Sequence, residues 1–142
     1  MTQEEKQLLL KDLCTRLPYS IVVSMPYPNF TIGKKPKKID IPLVSIDLAD
    51  NTYTVGDLYG KISGLRMFNR KGELLCKPYL RPMSSMTEEE KEELYQKTGF
   101  KVDDYILGLS AIDWLNAHYF DYRGLIEKGL ALEAPEDMYK YV

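Results

Sequence analysis

Cysteine, histidine and tryptophan are scarce in this chain of 142 residues, which contains two cysteines, one histidine and one tryptophan. Cys14 and Cys76 are far apart in sequence and form no Cys-x-x-Cys or zinc-type spacing. We therefore predict two reduced thiols that pack as small apolar side chains. No set of residues is spaced as a metal or cofactor site, so we expect neither.

Long apolar runs and phosphate-binding glycine motifs are also absent. No stretch approaches the roughly 20 apolar residues of a membrane-spanning helix, and the start, Met-Thr-Gln-Glu-Glu, is unlike a signal peptide. We expect a cytoplasmic protein with no membrane partner. Neither G-x-x-x-x-G-K-[ST] nor G-x-G-x-x-G occurs, so no nucleotide-binding loop is indicated.

The composition that remains is that of one globular domain, with 44% hydrophobic and 28% charged residues. Charge is divided unevenly: residues 1–83 hold 13 Lys+Arg against 8 Asp+Glu, whereas residues 84–142 hold 6 against 13. A sequence pI near 5.5 argues against a dedicated duplex-DNA binder. The 11 tyrosines suit half-buried strands and interfaces alike.

The first half of the chain predicts one helix and several strands. A capping box at Thr2–Glu5 opens a helix over residues 3–16. A strand follows at 19–25 and is broken by Pro26 and Pro28, and residues 29–38 form a hairpin connection or exposed loop. A bulged or edge strand covers 39–48, another begins at Thr52, and a turn at 69–72 joins two more.

The whole pattern predicts an α+β fold. Residues 1–76 supply the N-terminal helix and a small antiparallel sheet, closed as an SH3-like barrel or left as an open curved sheet covered by that helix. Residues 77–86 form an extended strap, and 87–142 form a helical segment packed on the sheet. Thr87 caps a helix to about Gln96, and a second helix presents one face of residues 109, 112, 115, 116 and 119.

Two constellations allow chemistry, each beside a simpler interpretation. His118 is a candidate general base, oriented by Asp121 or Asp113, in a small hydrolase or transferase; a single histidine near aromatics is more often structural. Asp47, Asp50 and Asp57 permit a magnesium hypothesis, although Asp50-Asn51 is ordinary turn chemistry. We assign no catalytic residue.

The strongest electrostatic feature is a run of lysines at Lys34, Lys35, Lys37 and Lys38. With Tyr27 and Phe30 nearby for base stacking, it is typical of a single-stranded nucleic-acid-binding module. The interpretation that we favour is simpler: these lysines protect a strand edge from pairing, or belong to a solvated loop.

Aromatic residues cluster at Trp114, Tyr119, Phe120 and Tyr122. Trp114, Tyr119 and Tyr122 are candidate anchors for a protein partner. A helix that docks on the sheet would use the same residues as core, and we favour that interpretation.

Two strings carry a family resemblance, KPYLRPMSSMTEEE at residues 77–90 and FDYRGLIEKGLALEAP at residues 120–135. In them the chain resembles a family of small uncharacterised proteins of gut anaerobes, often associated with phage or other mobile elements. The resemblance implies no activity. Because catalytic motifs are missing and tyrosine is abundant, our leading expectation is a non-enzymatic accessory or regulatory protein that binds another macromolecule, most simply a protein.

Overall fold

The computed structural model describes residues 1–32, 35–101 and 108–139, without the side chains of residues 28–32, 35 and 36. Its elements are α1 (Gln3–Arg16), β1 (Val22–Ile32), β2 (Lys35–Asp47), β3 (Thr52–Asp57), β4 (Gly60–Arg66), β5 (Lys77–Leu80), α2 (Glu88–Thr98), α3 (Leu109–Ala117) and β6 (Leu132–Glu133). Single 3-10 turns follow α1 at Leu17–Tyr19 and precede α2 at Met83–Ser85. The predicted α+β class, with its N-terminal helix, is confirmed.

The six strands form one sheet in the order β4-β3-β2-β1-β5-β6. Neighbours are antiparallel except β5 and β6, which pair in parallel through Tyr79–Leu132 and Leu80–Glu133. The sheet is mixed and not closed, which agrees with the predicted open sheet and leaves the SH3-like barrel unconfirmed.

Helix α1 covers residues 3–16 as predicted, and local side chains cap its first turn. The backbone amide of Glu5 donates to Oγ1 of Thr2 at 3.1 Å, and the Thr2 amide donates to the Glu5 carboxylate at 2.9 Å. The buried face carries Leu9 and Leu13, which pack on the sheet, but also the charged Asp12 and Arg16.

Prolines affect the sheet less than the sequence indicated. The prediction that Pro26 and Pro28 end the first strand is wrong, because β1 continues through both to Ile32. β5 pairs with β1 only at Val23 and Ser24. Both prolines lie beyond this pairing, so their missing N–H groups cost no hydrogen bond to β5. The strand at 39–48 was predicted to be either bulged or at a sheet edge, and the structure shows the first alternative: β2 lies between β1 and β3 and is bulged between Leu43 and Ser45.

The buried apolar side chains of the described residues form two clusters. The larger lies between α1 and the sheet and includes Leu13, Val23, Val55 and Cys76. Burial raises the pKa of the Cys76 thiol to about 12, although a hydrogen bond with Tyr53 opposes this. Cys76 is therefore the inert buried thiol that was predicted, whereas Cys14 is only half-buried.

The smaller cluster joins α2, α3 and the bend after α3 around Leu94, Leu115 and Phe120. Thr87 caps α2 as predicted, and the amide of Glu90 donates to its Oγ1 at 3.1 Å. The predicted face of α3 is wrong in part: Leu109 is exposed, while Ala111 and Trp114 are buried. Residues 77–80 of the predicted strap form β5.

A buried ionic network connects α1 to the C-terminal segment. Arg16 and Asp12 are both fully buried and form an ion pair with Nε and Oδ2 2.8 Å apart. Nη2 of Arg16 also donates to the carbonyl of Phe120 at 2.7 Å, and Nε of Arg123 donates to Oδ1 of Asp12 at 3.2 Å. The bonds to Phe120 and from Arg123 join residues more than one hundred positions apart in sequence.

Candidate functional site: the basic ribbon

β1 and β2 extend beyond the rest of the sheet as a two-stranded projection. Its pairs run from Met25–Ile39 to Ile32–Lys35. Within the described strands, β5 reaches β1 only at Val23 and Ser24, and β3 reaches β2 only from Leu43 onward. We call residues 25–32 and 35–39 the basic ribbon. From Ile39 to Lys35 it rises about 13 Å along β2.

The ribbon contains a bulge of several residues in β1. Pro26 pairs with Lys38, and the next pair is Thr31 with Pro36, so residues 27–30 of β1 oppose Lys37 alone. Extra residues in one strand re-aim its side chains, and such bulges are frequent beside functional sites. Tyr27 and Phe30 both lie on this bulge.

Three of the described side chains of the ribbon are exposed, whereas Met25 is buried and Pro26 and Ile39 are half-buried. Lys37 and Lys38 are exposed, and Tyr27 is 42% exposed. Successive strand residues point to opposite faces, so the two ammonium groups lie on different sides of the ribbon. Of the remaining predicted residues, Lys34 and the side chains of Phe30 and Lys35 lie outside the described structure.

The turn between β3 and β4 lies at the same end of the sheet. β3 runs antiparallel to β2, with Val55 opposite Leu43, so its last residues approach the base of the ribbon. The turn residues Leu58 and Tyr59 are 100% and 97% exposed. Sequence reasoning missed them; the available signal was a pair of large apolar residues between Asp57 and Gly60, where polar turn residues are usual.

Lys61 adds a third exposed ammonium group to this end of the sheet, since it pairs with Gly56 at the start of β4. A Cβ on Gly56 would lie 2.8 Å from Cγ of Lys61 and 2.9 Å from the carbonyl oxygen of Gly60. Only glycine allows this close approach of the two strands, so Gly56 fixes the position of Lys61.

Acidic residues at the same end are engaged in local bonds. Asp40 accepts a hydrogen bond from the Tyr79 hydroxyl at 2.9 Å. Asp57 accepts one from the Tyr59 amide at 2.8 Å. Asp47 and Asp50 lie at the opposite end of the sheet, in the β2–β3 connection, where they accept the amides of Ala49 and Thr52. The aspartates of the magnesium hypothesis are therefore divided between the two ends of the sheet, and the described residues contain no group of three potential metal ligands.

His118 and Asp121 are positioned by different parts of the backbone. The His118 ring stacks on Trp114 at 3.9 Å between centroids, and its Nδ1 is 2.8 Å from the Trp114 carbonyl oxygen. The two carboxylate oxygens of Asp121 accept the amides of Leu125 and Ile126 at 2.8 and 3.0 Å. Asp113 is exposed. Within the described residues, no hydrogen bond joins His118 to either carboxylate, so the geometry assembles no catalytic pair.

The aromatic cluster belongs to the interior, as the favoured interpretation predicted. Trp114, Tyr119 and Phe120 are buried. The Tyr119 hydroxyl donates to the carbonyl of Tyr19, and its ring stacks on Tyr139. Tyr122 is half-buried and donates to Asn116 at 2.9 Å. Much of the tyrosine surplus therefore serves the core, and Tyr122 alone of the three proposed protein anchors retains partial exposure.

A cleft of about 510 Å³ lies away from the ribbon, between the end of β5 and the C-terminal segment. Both terminal nitrogens of Arg81 donate to Glu90 at 2.7 Å, and its guanidinium lies 4.1 Å from the centroid of the Phe120 ring. Burial by itself raises the pKa of Glu90, but the bonds from Arg81 and Thr87 outweigh it and lower that pKa. The guanidinium of Arg81 is thus engaged in structural contacts. The other charged residues that line the cleft are Glu133 and Glu136.

Compared with known proteins, the chain matches no family model, no curated protein and no solved structure. The resemblance of residues 77–90 and 120–135 to proteins of gut anaerobes therefore stays a prediction. No helix in residues 1–32, 35–101 and 108–139 combines the length and apolar character needed to cross a membrane.

Proposed function

We propose that this protein is a non-enzymatic accessory protein that binds single-stranded nucleic acid at the basic ribbon. One observation carries the proposal: Tyr27 lies on the bulge opposite Lys37 and next to the Pro26–Lys38 pair, and all three of these side chains, Tyr27, Lys37 and Lys38, are exposed on a two-stranded projection. An aromatic ring and two ammonium groups within a few residues of one another support binding of a strand that crosses the ribbon.

The chemistry of the ribbon suits a flexible polyanion. Lysine ammonium groups neutralise phosphates and release counterions, which makes binding steeply dependent on salt. Aromatic rings stack on bases without strong sequence preference. Because Lys37 and Lys38 point to opposite faces, a flexible strand can contact both by crossing the ribbon. The overall pI near 5.5 is compatible with this local positive charge, since α2 begins with Glu88, Glu89 and Glu90.

The competing interpretation of the lysines is protection of the ribbon's edges. Unpaired strand edges can pair with another chain, and lysine prevents this. Edge protection predicts that loss of the lysines causes self-association and leaves nucleic-acid affinity unchanged. The two interpretations therefore make different predictions for self-association and for nucleic-acid affinity.

The test measures affinity for a fluorescein-labelled oligothymidylate by fluorescence anisotropy at several salt concentrations. We expect K37Q/K38Q to weaken binding and to reduce the slope of log affinity against log salt by about 1.4, since each phosphate contact to a single strand contributes about 0.7. The matched control is K91Q/K97Q on α2, which removes the same charge from lysines paired with Glu88 and Glu93.

Two results would contradict the proposal. One is the absence of oligonucleotide binding at low salt; the other is equal affinity of K37Q/K38Q and the control. Sedimentation of each variant reports self-association, which identifies edge protection directly.

A protein partner is the second candidate, and the exposure of Leu58 favours it. A fully exposed leucine in a turn suits insertion into an apolar pocket. This candidate predicts partner binding that Leu58→Ser abolishes and that changes little between low and high salt. Binding through the lysines predicts instead that affinity falls steeply as the salt concentration rises.

A further inference from the structure

The Leu58–Tyr59 turn departs from the chemistry that its backbone position favours. Two-residue hairpin connections usually contain Asn, Asp or Gly. Here both positions carry large side chains that are 100% and 97% exposed, so neither contributes to the apolar core. Departures from local rules without a packing gain tend to occur at functional sites.

Two local contacts support the backbone of the turn. The Tyr59 amide donates to Oδ1 of Asp57 at 2.8 Å, and Asp57 pairs with Gly60 at the ends of the two strands. Tyrosine has few rotatable bonds and loses little entropy when a ligand fixes it. The phenol ring is therefore presented to solvent on a defined support.

Three exposed lysines, Lys37, Lys38 and Lys61, lie at this end of the sheet against two exposed aspartates, Asp40 and Asp57. Lys61 is one residue beyond Gly60 and is exposed, and the ribbon lysines project from the same end of the sheet. By strand spacing, the turn lies one to two intervals of about 4.8 Å to the side of the ribbon. Charge complementarity thus favours a polyanion over an apolar or basic partner at this tip.

We infer that Tyr59 is a stacking platform for an unpaired base of the strand that the ribbon binds, with Leu58 contacting the edge of that base or its sugar. This inference rests on the proposed function and deepens it. Bases within a duplex are stacked on one another and offer no free face, whereas an unpaired base does. Tyr59 therefore makes the site prefer single strands, and the lysines supply attraction that any nucleic acid shares.

The affinity test compares Tyr59→Ala with the Tyr59→Phe and Tyr95→Ala variants. Tyr95 is exposed on α2, so its removal is a matched control. We expect Tyr59→Ala to weaken binding of oligothymidylate about 5- to 150-fold, the range for loss of one base–aromatic stack. The salt slope and the affinity for duplex DNA stay unchanged, and Tyr59→Phe binds like the wild type because it keeps the ring.

A spectroscopic test reports the stack directly. In a Tyr59→Trp variant, a stacked base quenches the new indole, while the emission of buried Trp114 is constant and is measured in the wild type. We expect quenching by oligothymidylate and none by duplex DNA.

The outcomes distinguish failure of the inference about Tyr59 from failure of the proposed function. If K37Q/K38Q weakens binding but Tyr59→Ala does not, and the indole of the Tyr59→Trp variant is not quenched, the inference is wrong and the proposed function stands. If no oligonucleotide binds, both are wrong. If Tyr59→Ala weakens duplex and single-strand binding equally, the platform does not select single strands and the inference is again overturned.

Discussion

Arg16 and the ribbon lysines use positive charge in opposite ways. Arg16 is fully buried, is paired with Asp12 and donates to a backbone carbonyl far along the chain. Lys37 and Lys38 are exposed on a projection with no third strand among those described. A planar guanidinium can satisfy several acceptors in fixed directions, whereas an ammonium on a flexible stem stays hydrated. The first arrangement fixes the fold, and the second leaves charge available to a partner.

This contrast has an energetic consequence. A buried charge that loses its partner destabilises the fold strongly, whereas an exposed lysine contributes little to stability. Substitutions at the Arg16 network should therefore change unfolding and leave binding by folded protein intact. Substitutions at the ribbon end should do the reverse.

The largest expected effect is that of Asp12→Ala. It leaves the buried guanidinium of Arg16 without its carboxylate, and also removes the partner of Arg123. We expect a loss of about 3–5 kcal/mol in the free energy of unfolding, measured by urea denaturation. Because the uncompensated charge causes the loss, Asp12→Leu combined with Arg16→Met should recover much of it. Equal stability of Asp12→Ala and the wild type would show that the network is not needed for the fold.

A smaller effect is expected at the Arg81–Glu90 pair, whose side chains are 25% and 19% exposed. Glu90→Gln keeps an acceptor for the Thr87 amide but loses the charge that two Arg81 nitrogens bind. We expect a loss of about 1 kcal/mol at neutral pH, since solvent screens a partly exposed pair.

The same variant has a pH signature. The folded state lowers the pKa of Glu90 below its ordinary value of 4.5, so the ionised carboxylate stabilises the fold above that value, and the contribution is lost as pH falls through the lowered pKa. The stability difference between wild type and Glu90→Gln should therefore be full at neutral pH and shrink on acidification below about 4.5. A difference that stays constant to low pH would contradict this assignment.

Local chemistry was predictable from the sequence because it acts within one helical turn. Thr2 with Glu5, and Thr87 with Glu90, form the two capping boxes that the sequence indicates. The turn at 69–72 is likewise confirmed, with Asn69 accepting the amides of Lys71 and Glu73.

Long-range geometry was not predictable in the same way. Helical spacing puts Asp12 and Arg16 on the same face as Leu9 and Leu13. It does not indicate that this charged pair is fully buried, because its other partners lie beyond residue 119. The continuation of β1 through two prolines depends on where β5 ends beside it. Leu58 and Tyr59 were missed because Asp57 and Gly60 were not recognised as the residues that flank a turn, which the strand register then showed.

The smallest expected change in stability is that of Leu58→Ser combined with Tyr59→Asn. Both side chains are almost wholly exposed, and the replacements suit a turn, so the free energy of unfolding should stay within about 0.5 kcal/mol of the wild type. Binding of oligothymidylate should nevertheless weaken, because the ring that stacks on a base is gone. A fall in stability of about 2 kcal/mol or more would mean that the turn supports the fold, as at Arg16. Unchanged stability with weakened binding would instead show that this end of the sheet serves a partner.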